Sequence, residues 1–382
     1  MTPSRRVIAV HPNSDLYGSD RMFLSTLDAL HGRGDIELLS LLPEEGRLST
    51  AIRDHGIALR VDPFPVLRRV EMHGRGLVLF PARLTAALPR LVLFLRRHKA
   101  DTVYVNTVVC PIWLLAGRLA GCRVVAHVHE NEPDMSARTR RILLSQLRLA
   151  TLVVANSAAT KDWVESVIGT KPATRVVYNG IAAPGASPTP PSPSSHSGAT
   201  RLLVLGRLSQ RKGQDVAIAA VAILAERGID VSLTLVGDHY PGYEAYVEEL
   251  EALITRHGLE ASVRLAGFTA DPSGYIAEAE VFIVPSRVEP FGNVAVEGLM
   301  SGTPTVVSDV DGLCEIVTDG KTGLTVRPDD PGALADAIAR VIADPTAAAA
   351  MASAGREEAA RRFGMARYDK EMGVAVLGDP AV

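Results

Sequence analysis

The sequence predicts an α/β protein of two domains, each a parallel sheet with helices on both faces. Three observations carry this. Short apolar runs alternate with longer amphipathic stretches along most of the 382 residues, the signature of repeated βαβ units. The alternation is broken once, at 183–199, where five prolines and five serines in 17 residues leave nothing to pack and specify a semi-extended linker. Beyond that break the pattern restarts with a new strand, so each half has the length of an ordinary domain with its own core. The expected organisation is a first domain over 1–182, a linker over 183–199 and a second domain over 200–382.

In the first domain, strands are expected at 7–10, 37–41, 58–61, 102–105, 123–128, 152–155 and 175–177, each a short apolar run. Helical spacing of apolar residues marks 22–30, 88–98, 112–120, 138–149 and 158–168. Asn179-Gly180 is a turn signal that closes this half. In the second domain, strands are expected at 201–205, 231–236, 263–265, 281–284, 305–307 and 324–326. Helices are expected at 216–227, 243–257, around Glu297, at 333–343 and at 346–361. Parallel sheets bind ligands beyond the carboxyl ends of their strands, so function is sought in the loops that follow strands.

The totals narrow the class. The chain is 47% hydrophobic and 22% charged with a net charge of −3, the balance of a soluble globular protein. No apolar run approaches the roughly 18–20 residues of a spanning helix, and a strand beginning at Val7 leaves no room for a leader segment. Three cysteines, Cys110, Cys122 and Cys314, have no metal spacing and cannot all pair, which fits a reducing cytoplasm. Aromatic residues at 5% are too few for base-stacking platforms, and no nucleic-acid partner is expected.

The most informative stretch runs from Ser286 to Gly302. An apolar strand ends at Pro285, and a helix starts just after Gly292. Glu289 therefore sits in the strand-to-helix loop, and Glu297 lies roughly 7 Å below the helix start at 1.5 Å per residue. Between them the free backbone N–H groups of Phe291, Gly292 and Asn293 stand at the positive end of the helix dipole. This is an anion site with an acceptor group on either side. A diphosphate with a hydroxyl-rich ring at each end, such as a nucleotide-sugar, matches it.

Glu289 and Glu297 with Pro-Phe-Gly between them resemble the signature of glycosyltransferase family 4, the group 1 glycosyltransferases. These are retaining enzymes with two Rossmann-like domains facing a central cleft, the GT-B fold. The resemblance implies that Glu289 contacts the donor hexose, that Glu297 binds the ribose hydroxyls and that the intervening amides face the diphosphate. It also implies that the final helix returns to the N-terminal domain. Further along, Gly206-Arg207-Leu208 followed by Lys212-Gly213 matches the family's Gly-Arg-Leu-x3-Lys-Gly. A glycine turn with cations at a strand end suits a diphosphate, and the resemblance assigns that role to Arg207 and Lys212; Arg211 has no counterpart. Gly237-Asp238 and Gly267-Phe268 fall where the family places the nucleobase. After the first strand, Tyr17-Gly18-Ser19 stands at the family's glycine loop, with Gly18 open to close backbone approach.

His127-Val-His129 puts two histidines on one strand face, which raises a metal pair, but no further His or Cys stands at a supporting spacing. The resemblance instead places one histidine, His129, facing the donor sugar and acceptor. Neither metal nor cofactor is expected, and the donor is a GDP- or UDP-hexose. Gly320-Lys321-Thr322 imitates a P-loop, yet Glu315 stands where its first glycine belongs, and Gly32-x-Gly34 lacks the third glycine of a dinucleotide site.

The expected activity is transfer of a hexose with retention from a nucleoside-diphosphate sugar to a hydroxyl of a glycan or lipid-linked acceptor. A nucleotide-sugar epimerase or hydrolase on the same fold is the alternative. The acceptor side has its own signal. Residues 60–99 hold nine Lys or Arg against two acidic residues, interleaved with Phe64, Val66, Leu67, Leu77, Val78, Leu79 and Phe80. A basic, partly apolar helix is the pattern of a surface resting on anionic lipid, here the inner face of the membrane.

Overall fold

The computed structural model describes residues 5–67, 76–132, 135–182, 198–239 and 242–378. Residues 183–197 of the linker, and Arg68, Arg69 and Arg75 of the basic segment, lie outside the described residues, as do the side chains of Leu77 and Val78. The chain separates into two compact units, Met1–Gly180 with Met365–Val382, and Ile181–Gly364.

In chain order the elements are β1 (Arg5–Val10), α1 (Gly18–His31), β2 (Ile36–Leu42), α2 (Arg47–Asp54), β3 (Leu59–Val61), α3 (Gly76–Arg97), β4 (Thr102–Val105), α4 (Pro111–Ala120), β5 (Arg123–Val128), α5 (Ala137–Ser145), β6 (Leu152–Ala155), α6 (Ala158–Ile168) and β7 (Thr174–Val176). The second unit follows with β8 (Thr200–Leu205), α7 (Gln214–Glu226), β9 (Val231–Val236), α8 (Glu244–Arg256), β10 (Val263–Gly267), α9 (Ser273–Glu278), β11 (Val281–Val284), α10 (Asn293–Ser301), β12 (Thr305–Ser308), α11 (Leu313–Ile316), β13 (Leu324–Val326), α12 (Pro331–Ala343) and α13 (Pro345–Phe363). The last helix, α14 (Met365–Leu377), belongs to the first unit.

Among the described residues the first sheet has the order β3-β2-β1-β4-β5-β6-β7 and the second β10-β9-β8-β11-β12-β13. All neighbours in both are parallel. In each sheet the first strand lies inside, and the chain winds outward one way before crossing back to wind the other. The direction reverses between β1 and β4 in the first sheet and between β8 and β11 in the second. Such switch points leave a crevice beyond the carboxyl ends, where neighbouring loops diverge. The segments after these four strands hold most of the candidate residues.

The helices start and stop on local chemistry. Asp330 and Asp344 accept the Ala333 and Ala347 N–H groups at 2.8 and 3.0 Å, ahead of Pro331 and Pro345 at the first helical positions. Gly121 and Gly302 end α4 and α10 in the left-handed conformation. The helix expected at 88–98 begins instead at Gly76 and runs through Pro81 and Pro89. A proline inside a helix costs about 3 kcal/mol. Burial of Phe80, Leu91 and Leu95, each under 10% exposed, offsets that cost. Leu91 and Leu95, with Phe64, join the first core around Trp113, so much of the apolar content of 60–99 is interior. The short helices α2, α9 and α11 were not legible in the apolar spacing. Among the described residues, no helix is long and apolar enough to cross a membrane.

α14 is fixed to α1 by polar as well as apolar contact. The Tyr368 hydroxyl, fully buried, lies 2.7 Å from Thr26 Oγ1, whose own proton goes to the Met22 carbonyl at 2.9 Å. Tyr368 is therefore the donor. Removing that buried donor in Tyr368→Phe is expected to cost about 1 kcal/mol. Urea unfolding checks this through a lower midpoint at unchanged slope; an unshifted midpoint removes the bond from the account of α14 docking.

Candidate active site

In the second unit the loops after β8, β9 and β11 approach so closely that only glycine fits at the contacts. Gly237, at φ +149°, would place a Cβ 2.0 Å from the Gly206 carbonyl oxygen, and Gly213, at φ +66°, one 2.0 Å from that of Pro285. The second contact seats the Lys212 turn on the start of the Glu289 loop. Lys212 Nζ forms an ion pair with the Glu289 carboxylate, which also accepts from Ser286 Oγ at 3.1 Å. Glu289 is only 7% exposed, so a carboxylate there needs such partners. Its N–H donates to Asp311 Oδ2 at 3.0 Å, and its carbonyl accepts from Gly312 N at 3.1 Å. Asp311 sits at φ +42°, unusual for a residue with a side chain. Burial raises the Asp311 carboxyl and the nearby Glu289 charge adds to the rise, while Arg211 opposes it.

Arg287, between Ser286 and Glu289, ties the same two loops together. It forks onto Asp215 in α7 at 2.9 and 2.6 Å and pairs with Asp329, while its N–H donates to the Arg211 carbonyl at 2.8 Å. Asp215 also accepts from the Tyr246 hydroxyl at 2.7 Å. Burial alone would raise Asp215, but the hydrogen bonds from Arg287 and Tyr246 outweigh it and hold the group below the usual range.

Gly292 caps α10 at φ +118°, where a Cβ would meet Leu313 Cδ2 at 2.5 Å. Asn293 opens the helix and Glu297 lies one turn in, both half-buried. The Phe291 side chain is interior, as a role for its main-chain N–H requires. It is 2% exposed, edge-on to Phe363 at 5.5 Å, so only its main chain is available to a ligand. Arg207 is half-buried after β8, with its carbonyl accepting from Gln214 Nε2 at 2.9 Å. Phe268 is half-buried immediately after β10.

The first unit supplies a different kind of arrangement. His129, half-buried just beyond β5, places Nε2 at 2.8 Å from Asn106 Oδ1. Asn106 follows β4 and also contacts the Tyr104 hydroxyl at 2.6 Å and His11 Nδ1 at 3.0 Å. His11 Nε2 lies 2.6 Å from Asp20 Oδ1, and Asp20 Oδ2 accepts the Tyr17 N–H at 2.8 Å. The His127 and His129 rings are 4.0 Å apart on one face, and His127 Nδ1 is 2.7 Å from Tyr104. Among the described residues no group of three or more His, Cys, Asp or Glu is placed to hold a metal. Gly18 is the exposed first residue of α1 and does not take the positive φ that calls for glycine.

The structure thus brings Glu289, Lys212, Gly292 and Asn293 to one loop cluster and sets His129 in a buried network of the other unit. The sequence reading missed Asp311, Arg287 and Asp215, and it missed Asn106, His11 and Asp20. A polar residue directly after a fully apolar strand, as in Val105-Asn106, is the one signal that would have found Asn106.

Two parallel-sheet units, one carrying a cationic turn beside a helix N-terminus, are the architecture of the GT-B fold. The profile described as "Glycosyl transferases group 1" matches residues 190–358, and that of "Glycosyltransferase Family 4" matches residues 20–183. The chain is 31% identical over 312 residues, 75% of its length and 78% of the relative's, to the GDP-mannose-dependent alpha-(1-6)-phosphatidylinositol monomannoside mannosyltransferase of Mycolicibacterium smegmatis. It is also 31% identical over 223 residues to a glycogen synthase of Mycobacterium tuberculosis, a match spanning 57% of the chain and about half, 51%, of that relative. Among solved structures, Anabaena HepE in complex with UDP and glucose superimposes with a TM-score of 0.83 at 26% identity, covering 98% of this chain and 99% of that one. The chain belongs to the group 1 glycosyltransferases.

Burial, with the charge of His11 added, pushes His129 down to about 3, and burial pushes His127 well below its ordinary range. Between roughly pH 3 and 6.5 the unfolded chain binds a proton at His129 that the folded chain does not, and the burial of His127 acts in the same direction. The contribution of His129 to stability is therefore complete above about pH 6.5 and is lost as pH falls toward 3, by at most about 1.4 kcal/mol per pH unit. Urea midpoints between pH 7 and 4 check this: the fall should be shallower in His129→Gln, and parallel curves would show that His129 is not held neutral.

Proposed function

We propose that the protein is a retaining, metal-independent hexosyltransferase that moves a hexose from a GDP- or UDP-hexose to a hydroxyl of a glycan or lipid-linked acceptor. The observation that carries this is the cluster after β8 and β11. There a helix N-terminus and the Lys212 cation meet a buried carboxylate, Glu289, held by Ser286 and Lys212. The UDP and glucose bound by HepE, and the GDP-mannose dependence in the mannosyltransferase's name, support such a donor. The relatives described are transferases, which does not favour the epimerase or hydrolase alternative.

In this reading the bond from the anomeric carbon to the diphosphate oxygen breaks, and its electron pair leaves with the nucleoside diphosphate. The acceptor oxygen forms the new bond on the same face of the sugar, and its proton passes to the departing phosphate. Arg207, Lys212 and the main-chain N–H groups of Phe291, Gly292 and Asn293 stabilise the charge that grows on the leaving group. That is the role a metal plays elsewhere. Glu289 takes hexose hydroxyls, Glu297 the ribose, Phe268 stands beside the base, Gly18 lies on the acceptor-side loop and His129 serves the sugar.

Lys212→Ala is expected to lower turnover by about 10²-fold, the scale of losing one charge-stabilising donor. The measurement uses labelled UDP-glucose and GDP-mannose with glycan and lipid-linked acceptors, and NMR of the product's anomeric centre. Retained configuration with the Lys212 loss supports the proposal; an inverted product, or Lys212→Ala at wild-type rate, overturns it.

A membrane-bound acceptor is favoured by one surface. Leu79, Arg83, Ala86, Arg90, Leu93 and Arg97 form an exposed stripe along α3 at helical spacing, with Leu79 and Leu93 49% and 47% exposed. Leu115, Arg118 and Leu119 on α4 are exposed as well, and Arg96 donates to the Leu119 carbonyl at 2.9 Å. Each Lys or Arg near an anionic bilayer contributes about 1 kcal/mol. Co-sedimentation with anionic vesicles is expected at low salt, weakening as salt rises and lost when Arg68, Arg69, Arg96 and Arg97 become Ser. No sedimentation at low salt removes the membrane from the proposal.

A further inference from the structure

The protons of the first unit's buried network can be assigned one by one, because most of its contacts admit a single donor. Tyr104 Oη and Asn106 Oδ1 are 2.6 Å apart, and two oxygens at that distance need a hydrogen between them. Only Tyr104 has one. Asn106 Nδ2 faces the Ser19 carbonyl at 3.2 Å, which can only accept, so the amide orientation is fixed from its other end as well. The rest follows. His11 Nδ1 faces an N–H of Asn106 and is bare; its Nε2–H donates to Asp20. His127 Nδ1 faces a tyrosine oxygen whose proton is already used, so it donates. His129 Nε2 faces Asn106 Oδ1, which has no proton to give, so Nε2 carries one.

We infer that Asn106 is a positioning residue that locks His129 as the Nε2–H tautomer, leaving Nδ1 as an acceptor for a hydroxyl of the substrate. Both lone pairs of Asn106 Oδ1 and both protons of Nδ2 are committed, and the side chain is 1% exposed. His11 at 1% and His127 at 0% are interior, whereas His129 alone of the three rings reaches the surface. The opposite tautomer would set the Nε2 lone pair against that of Asn106 Oδ1 at 2.8 Å, leaving both acceptors without a proton between them. His129 therefore serves substrate by accepting a proton-bearing group through Nδ1, and its orientation is set by a residue three strands' worth of chain away from any donor motif. This rests on the reading that places His129 at the sugar, but the tautomer itself is read without substrate.

The test is long-range ¹H–¹⁵N NMR of the histidine rings in the full chain at pH 7, with His129 assigned by its disappearance in His129→Gln. The wild type should show His129 protonated at Nε2 and bare at Nδ1. In Asn106→Leu both His129 nitrogens should move toward averaged positions. In Asn106→Asp, a variant that keeps the acceptor if the leucine variant does not fold, His129 should stay fixed while His11 gains a proton at Nδ1 to face the new carboxylate. Asn106→Leu should also lower kcat about tenfold or more, with KM for the nucleotide-sugar within about threefold. Nδ1–H at His129 in the wild type, or a His129 signal unmoved in Asn106→Leu, overturns the inference. A locked tautomer combined with full activity of His129→Gln would instead overturn the placement of His129 at the sugar.

Discussion

One guanidinium holds the loops of the second unit in register. Arg287 belongs to the loop after β11, yet its fork lies on Asp215 of α7 and its main chain on the carbonyl of Arg211. The Lys212 turn is thereby fixed against the Glu289 loop, and the Lys212–Glu289 ion pair is a consequence of that docking. A bidentate Arg–carboxylate contact suits the task because its planar geometry fixes direction as well as distance. The hydrogen bonds that Arg287 donates to Asp215 hold its charge more firmly than usual.

Glycine makes the clamp possible. At Gly213 and Gly237 the neighbouring carbonyl oxygen occupies the space a side chain would need, and at Gly292 the space belongs to Leu313. Each position also takes a positive φ, so an alanine there would be strained twice over. The result is a cluster in which three loops share one small volume and the amides at the start of α10 emerge beside a cation and a carboxylate. Donors held in place before a ligand arrives are what effective electrostatic stabilisation requires.

The first unit solves its problem with a hydrogen-bonded network in which the imidazole rings of His127 and His129 are held uncharged. Asp20, His11, Asn106, Tyr104 and His129 form a chain in which each donor has one acceptor and no second cation is needed. Burial keeps His129 and His127 uncharged, so the chain is a set of oriented dipoles. A fully satisfied buried network of this kind rigidifies its members.

The sequence by itself determined the βαβ alternation, the two-part division and the motif residues Arg207, Lys212, Glu289 and Glu297, because these depend on local periodicity and on glycine and proline punctuation. Among the described residues, eleven of the thirteen strands lie where short apolar runs place them within a residue at each end. Tertiary structure decided the rest. It turned the Phe291 ring into the core, carried α3 through two prolines by burying Phe80, Leu91 and Leu95, and chose Arg287 over the other cations as the clamp. It also made a site component of Asn106, whose neighbours His11 and His129 are distant in the chain. The physical reason is strand order: β4 lies between β1 and β5, so three loops remote in sequence end side by side at one sheet edge, and no local pattern records which strands will be neighbours.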